Sequence, residues 1–117
     1  MTVGRNDPMD DRRRFERVNM PDAAKVYITD EQNARIGSVK VLGRGGMLVK
    51  TEKPLMQGSH RALYLVDDSE GIRRELHAIV RYNSEEGTGL EFENLEPDAA
   101  VEVGVIIGKY YAAGAHQ

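Results

Sequence analysis

From Val18 to about Gly89, apolar and polar residues alternate in short runs separated by turn residues. This pattern marks half-buried β-strands. Ala24–Ile28 alternates, and so does Ile36–Leu42, with Ile36, Val39 and Val41 apolar and Lys40 polar. Gly43-Arg44-Gly45-Gly46 interrupts the run. Three glycines in four positions allow positive φ and a tight turn. Met47–Thr51 resumes as a strand, and Pro54 and Gly58 mark the next loop. His60–Val66 and Arg73–Tyr82 flank the polar turn Asp67-Asp68-Ser69-Glu70-Gly71. The second of these strands sets Leu76, Ala78, Val80 and Tyr82 on one face and Glu75, His77 and Arg81 on the other. Asn83–Gly87 reads as another turn, and Gly89–Phe92 closes the series. About six such strands predict a mainly β fold, a small antiparallel barrel or sandwich. Its interior is expected to take Val39, Val41, Leu48, Leu63, Leu65, Val80 and Phe92.

The last segment reads differently. Pro97 and Asp98 suit the first turn of a helix. Val101, Val105 and Ile106 share one helical face. Val101–Val105 also alternates, and Gly104 and Gly108 each weaken a helix by about 1 kcal/mol. A C-terminal helix is the expectation.

The chain has 117 residues, enough for one domain. The first eleven residues are polar and read as a flexible arm, followed by one domain over 12–111 and a short tail over 112–117. No apolar run approaches the ~18 to 20 residues of a membrane span. Met1–Pro8 has no apolar stretch of the kind a signal peptide carries. A cytoplasmic protein is expected. There is no cysteine, which excludes disulfides, thiolate catalysis and Cys-ligated metals. There is no tryptophan, with five tyrosines and two phenylalanines, so stacking surface for single-stranded nucleic acid is scarce. The net charge of −3 also disfavours a nucleic-acid clamp.

Catalysis finds little support. His60, His77 and His116 are far apart and fall in no metal-spaced motif. The Asp67–Gly71 turn lacks the ligand spacing of a calcium loop. No nucleophile elbow, P-loop or dinucleotide fingerprint occurs. A non-enzymatic protein without a cofactor or metal is expected. The local exception to the acidic balance is Arg12-Arg13-Arg14-Phe15-Glu16-Arg17. Guanidinium forks match phosphate oxygens and the O6/N7 edge of guanine. Arg13 and Arg17 are four apart and would share a face on a helical turn. The plainer reading is a solvated basic arm pairing with Asp10, Asp11 and Glu16. The glycine turn, for its part, can present backbone N–H groups to an anion.

In their order along the chain these features resemble the PilZ domain family. That family opens with an RxxxR motif, which Arg13-Arg14-Phe15-Glu16-Arg17 fits and Arg12 extends. Its second motif, [D/N]xSxxG, falls on Val41-Leu42-Gly43-Arg44-Gly45-Gly46. There Gly46 matches, while Val41 replaces Asp or Asn and Gly43 replaces Ser. Gly46-Met47-Leu48-Val49-Lys50-Thr51 with Pro54-Leu55 is similar to the family's GGMxxxT…PL stretch. Glu75–Tyr82 followed by Gly87-Thr88-Gly89-Leu90-Glu91-Phe92 is similar to its VxRV…GxGxxF hairpin.

The resemblance implies a six-stranded antiparallel PilZ-type β-barrel with a C-terminal helix. It also implies a receptor for cyclic di-GMP that signals by ordering its arginine arm onto the barrel. The implied ligand residues are Arg12, Arg13, Arg17, Arg44 and Gly46, with Arg44 able to reach a phosphate. The alternative is a degenerate adaptor that binds no nucleotide and acts through protein partners. In either case a protein partner in motility, pilus or biofilm control is implied, with no nucleic acid and no membrane span.

Overall fold

The structure is a computed structural model that describes residues 17–112. The arm over residues 1–11, Arg12, Arg13 and His116 lie outside the described residues. Among the described residues, seven strands and one helix follow in order: β1 (Arg17–Asn19), β2 (Val26–Thr29), β3 (Arg35–Gly43), β4 (Gly46–Thr51), β5 (His60–Asp67), β6 (Ile72–Ser84), β7 (Gly87–Phe92) and α1 (Pro97–Ala112). All pairings are antiparallel. Around the ring the order is β3-β2-β5-β6-β7-β4, and the pairing of β3 with β4 closes it. Six strands therefore make the barrel. β1 is an outer seventh that pairs with the end of β3, Arg17 opposite Gly43 and Asn19 opposite Val41.

Closure depends on β3, whose nine residues serve three partners. Its first half meets β2, its last three residues meet β1, and β4 runs along most of its length. The interior is filled by Ile28, Leu42, Val49, Leu63, Leu65, Leu76 and Val80, each 1% exposed or less. Val103 and Ile106 of α1 join the same cluster. The helix packs against β1, β3 and β6. Two polar ties hold it there. Arg74 of β6 donates to Glu102 at 2.6 Å. Lys109, in the last turn, sits 3.5 Å from Asp67 and 3.1 Å from Glu70. Asp67 is fully buried, and its Oδ1 accepts from the Ser69 amide at 3.0 Å and the Ser69 hydroxyl at 2.7 Å. The polar hairpin read from the sequence thus also anchors the helix.

Several expectations need correction. Val39, Leu63, Leu65 and Val80 are buried, but Val41, Leu48 and Phe92 are only half-buried. The register slips between Val39 and Val41 against β4, and again between Val80 and Tyr82 against β7. A bulge inserts one residue and reverses the alternation beyond it. The extra residues are Lys40 and Arg81, so Val41 and Tyr82 turn outward, and Tyr82 is 49% exposed. Leu48 faces out because its neighbours Met47 and Val49 face in. Phe92 ends β7 at the rim and packs against the edge of the core.

The turn at Gly43–Gly46 has no positive φ. Among the described residues, the glycines that do are Gly58, Gly71 and Gly87. The buried face of α1 is Ala99, Val103, Ile106, Ile107 and Tyr110. Of the three residues read as sharing one helical face, only Ile106 is inside. Val101 and Val105 are 64% and 47% exposed. Val101→Ser should therefore shift stability by no more than about 0.5 kcal/mol. Urea unfolding checks this, and a loss above about 2 kcal/mol would mean that Val101 is packed.

Candidate ligand-binding site

The two bulges act on the same outer wall of the barrel. Val41 lies opposite Leu48, Leu48 opposite Gly89, and Gly89 opposite Tyr82. These four residues form one continuous row across β3, β4, β7 and β6. Without the register slips, Val41 and Tyr82 would point into the core. With them, an apolar strip floors an open cavity of about 450 Å³.

Three arginines line this cavity. Arg17 opens β1 and is placed by its pairing opposite Gly43. Arg44 sits in the β3–β4 turn and reaches the helix. A Cβ added at Gly104 would lie 3.2 Å from its Nη1, so the bare glycine face of α1 receives the guanidinium. Arg81, the bulge residue of β6, donates from Nε to Glu91 at 2.5 Å. None of the lining residues is acidic. A concave surface lined by three arginines, one of them ion-paired with Glu91, and by no carboxylate favours anions, and arginine favours phosphate or carboxylate through its paired donors.

Gly46 closes the edge of the cavity for a steric reason. A Cβ there would lie 2.2 Å from the Leu90 carbonyl oxygen, so β4 and β7 can approach only at a glycine. At Gly89, a Cβ would lie 2.3 Å from the Tyr82 ring. The ring occupies the space that a side chain at 89 would fill.

Of the residues expected at the site, the structure brings Arg17, Arg44 and Gly46 to one cavity. Arg12 and Arg13 lie outside the described residues. Val41 and Gly43, at the two altered positions of the second motif, both line the wall and place no side-chain acceptor there. Arg81, Tyr82 and Leu48 were missed. Arg81 already fell on the outward face, but the alternation along Arg73–Tyr82 gave no sign of a bulge, and only the bulge carries Tyr82 to this wall. His60 instead bonds Glu93 at 2.9 Å, and His77 lies 3.7 Å from Glu75. Among the described residues, no three His, Asp or Glu side chains cluster as metal ligands. No helix among them is long and apolar enough to cross a membrane.

Two solved structures share this architecture. One is the PilZ domain with c-di-GMP of YcgR from Escherichia coli, with a TM-score of 0.64 and 18% identity over 84% of this chain and 90% of that one. The other is the Legionella uncharacterized protein Lpg0364, with a TM-score of 0.60 and 14% identity over 83% of this chain and 95% of that one. No curated protein matches the sequence. The PilZ domain family matches residues 11–107. That span takes in the arginine segment, all seven strands and most of the helix, and the chain belongs to the PilZ domain family.

Proposed function

We propose that the protein is a cytoplasmic, non-enzymatic receptor for cyclic di-GMP, whose arginine segment closes over a ligand held on the barrel. The observation that carries this reading is the convergence of Arg17, Arg44 and the Gly43–Gly46 turn on one cavity free of acidic lining. A bis-phosphate with two flat purine bases suits such a surface, because guanidinium forks engage both phosphate and the guanine O6/N7 edge. The structural likeness to a PilZ domain with c-di-GMP supports the choice of ligand. Arg17 is held by β1, and in this reading the closing segment is the one that carries Arg12 and Arg13. A segment that orders on binding changes the surface shown to a partner. That partner would be a protein of motility, pilus or biofilm control.

One observation favours a second reading, an adaptor that binds no nucleotide: Val41 and Gly43 put no acceptor on the cavity wall. Calorimetric titration with cyclic di-GMP separates the two. Saturable binding at micromolar ligand supports the receptor, and silence at large excess supports the adaptor. In the receptor, Arg17→Ala should weaken binding about ten- to a hundredfold, the scale of ~1 to 3 kcal/mol for a bidentate arginine contact. Arg17→Lys should not restore it, since an ammonium cannot reproduce the fork. Unchanged affinity in Arg17→Ala would remove this residue from the site.

A further inference from the structure

The helix α1 carries two interior glycines, Gly104 and Gly108, and each weakens it through backbone freedom. A Cβ at Gly108 would meet nothing within 4 Å. A Cβ at Gly104 would meet the end of Arg44, with Nη1 at 3.2 Å, Nη2 at 3.5 Å and Cζ at 3.7 Å. We propose that Gly104 is a positioning residue, a seat on α1 that sets the Arg44 guanidinium beside the ligand cavity. This rests on the nucleotide-receptor reading and adds to it a role for the helix, which lends none of its described residues to the cavity lining.

Three observations carry the assignment. First, the turn that bears Arg44 offers it no side chain to lean on, because its neighbours are Gly43, Gly45 and Gly46. An arginine on such a turn keeps its rotamer freedom unless another element takes its head. Second, the seat is fixed on both sides. Glu102, two residues before it, accepts from Arg74 Nε at 2.6 Å, and Lys109, five residues after it, lies 3.1 Å from Glu70. Val103 and Ile106, which flank the position, are 1% exposed or less. Third, Arg44 lines the cavity as well as meeting the helix, so one side chain belongs to both.

The consequence for binding is preorganisation. A guanidinium placed before the ligand arrives loses less freedom when it grips a phosphate. Only glycine leaves the full space for it. An alanine at 104 would make the head give by a few tenths of an ångström, and a larger side chain would take its place. The glycine that costs the helix stability thus serves the arginine opposite it.

The test is a double-mutant cycle of Gly104→Leu and Arg44→Ala. It is read by calorimetry with cyclic di-GMP and by nuclear magnetic resonance of the Arg44 Nε–H in the ligand-free protein, assigned by its loss in Arg44→Ala. Leucine is a better helix former than glycine, so the helix itself is not weakened. In the parent the resonance should stand apart from that of a free arginine, and Gly104→Leu should return it there. Each single variant should bind about tenfold more weakly, and the double variant no more weakly than Arg44→Ala. Gly104→Ala should fall between the parent and Gly104→Leu in both readings, so it decides the matter if the leucine variant folds poorly. A merely structural role for Gly104 would leave the resonance in place and the two losses additive. Either of those results in a folded variant overturns the seat while the receptor reading stands. A parent that binds no cyclic di-GMP overturns the receptor reading and the role of Gly104 in binding with it.

Discussion

Gly46→Val is expected to destabilise the fold by about 3 kcal/mol or more, the upper range for overpacking against atoms that cannot move aside. The first atom of the new side chain would meet the Leu90 carbonyl oxygen at 2.2 Å and the Glu91 Cα at 3.2 Å. Both belong to backbone, so no rotamer change relieves the clash. β4 and β7 must part, and their pairing from Gly46–Glu91 to Val49–Thr88 is one of the seams that close the barrel. Because the φ of Gly46 is not positive, the cost comes from the approach of the two strands and not from backbone torsion. Gly45 provides the contrast. A Cβ there meets nothing within 4 Å, and its φ is not positive, so Gly45→Ala should change stability by no more than about 0.5 kcal/mol. Thermal or urea unfolding of the two variants checks the pair. A Gly46→Val protein within 1 kcal/mol of the parent would mean that the strands are further apart than described.

Much of this architecture was legible in the sequence because alternation and turn residues agree over most of the chain. The hairpin at Asp67–Gly71 and the turn at Asn83–Gly87 have polar residues or glycine where the backbone reverses, and strands flank both. What escaped has a local cause in each case. The bulges at Lys40 and Arg81 add one residue to β3 and β6. A two-residue period carried through a bulge assigns every later side chain to the wrong face. Val41 and Tyr82 were misplaced in that way. Leu48 lies in the uniformly apolar run Met47–Val49, where the period gives no face at all. β1 is three residues long, and its first is part of a charged cluster, so nothing in its pattern marks a strand. In α1, Val101, Val105 and Ile106 looked like an apolar stripe. The true inward set repeats at 99, 103, 106, 107 and 110, and contact with β1, β3 and β6 selects it.

The candidate site divides along the same line. Arg17, Arg44 and Gly46 were legible because they fall on a charge reversal and a glycine-rich turn. The floor of the cavity was not, because it consists of ordinary strand residues that register alone brings into one row.

Val41→Asp should tighten the binding of cyclic di-GMP about ten- to a hundredfold. The direction follows from the bulge. Had the alternation of β3 continued, residue 41 would face the core, and an aspartate there would cost several kcal/mol as an unpaired buried charge. The register slip places Val41 on the cavity wall, half-buried, opposite Asn19 on one side and Leu48 on the other. A carboxylate at this point can accept from a ligand N–H, and a hydrogen bond to a charged group contributes ~1.5 to 3 kcal/mol. Against this stands the loss of apolar contact with Leu48. The nearby guanidiniums of Arg17 and Arg44 favour the new charge in the free protein. The stability loss is therefore expected to stay below about 1 kcal/mol. Affinity and unfolding measured together separate the possibilities. Tighter binding at nearly constant stability means that the acceptor missing from the second motif limits this site. Unchanged affinity at constant stability would mean that the arginines and the apolar strip already satisfy the ligand. A loss of several kcal/mol would put residue 41 inside the barrel and contradict the register of β3. If the parent is silent toward cyclic di-GMP and Val41→Asp binds it, the adaptor reading holds for the natural chain. The barrel would then retain a nucleotide site that one side chain restores.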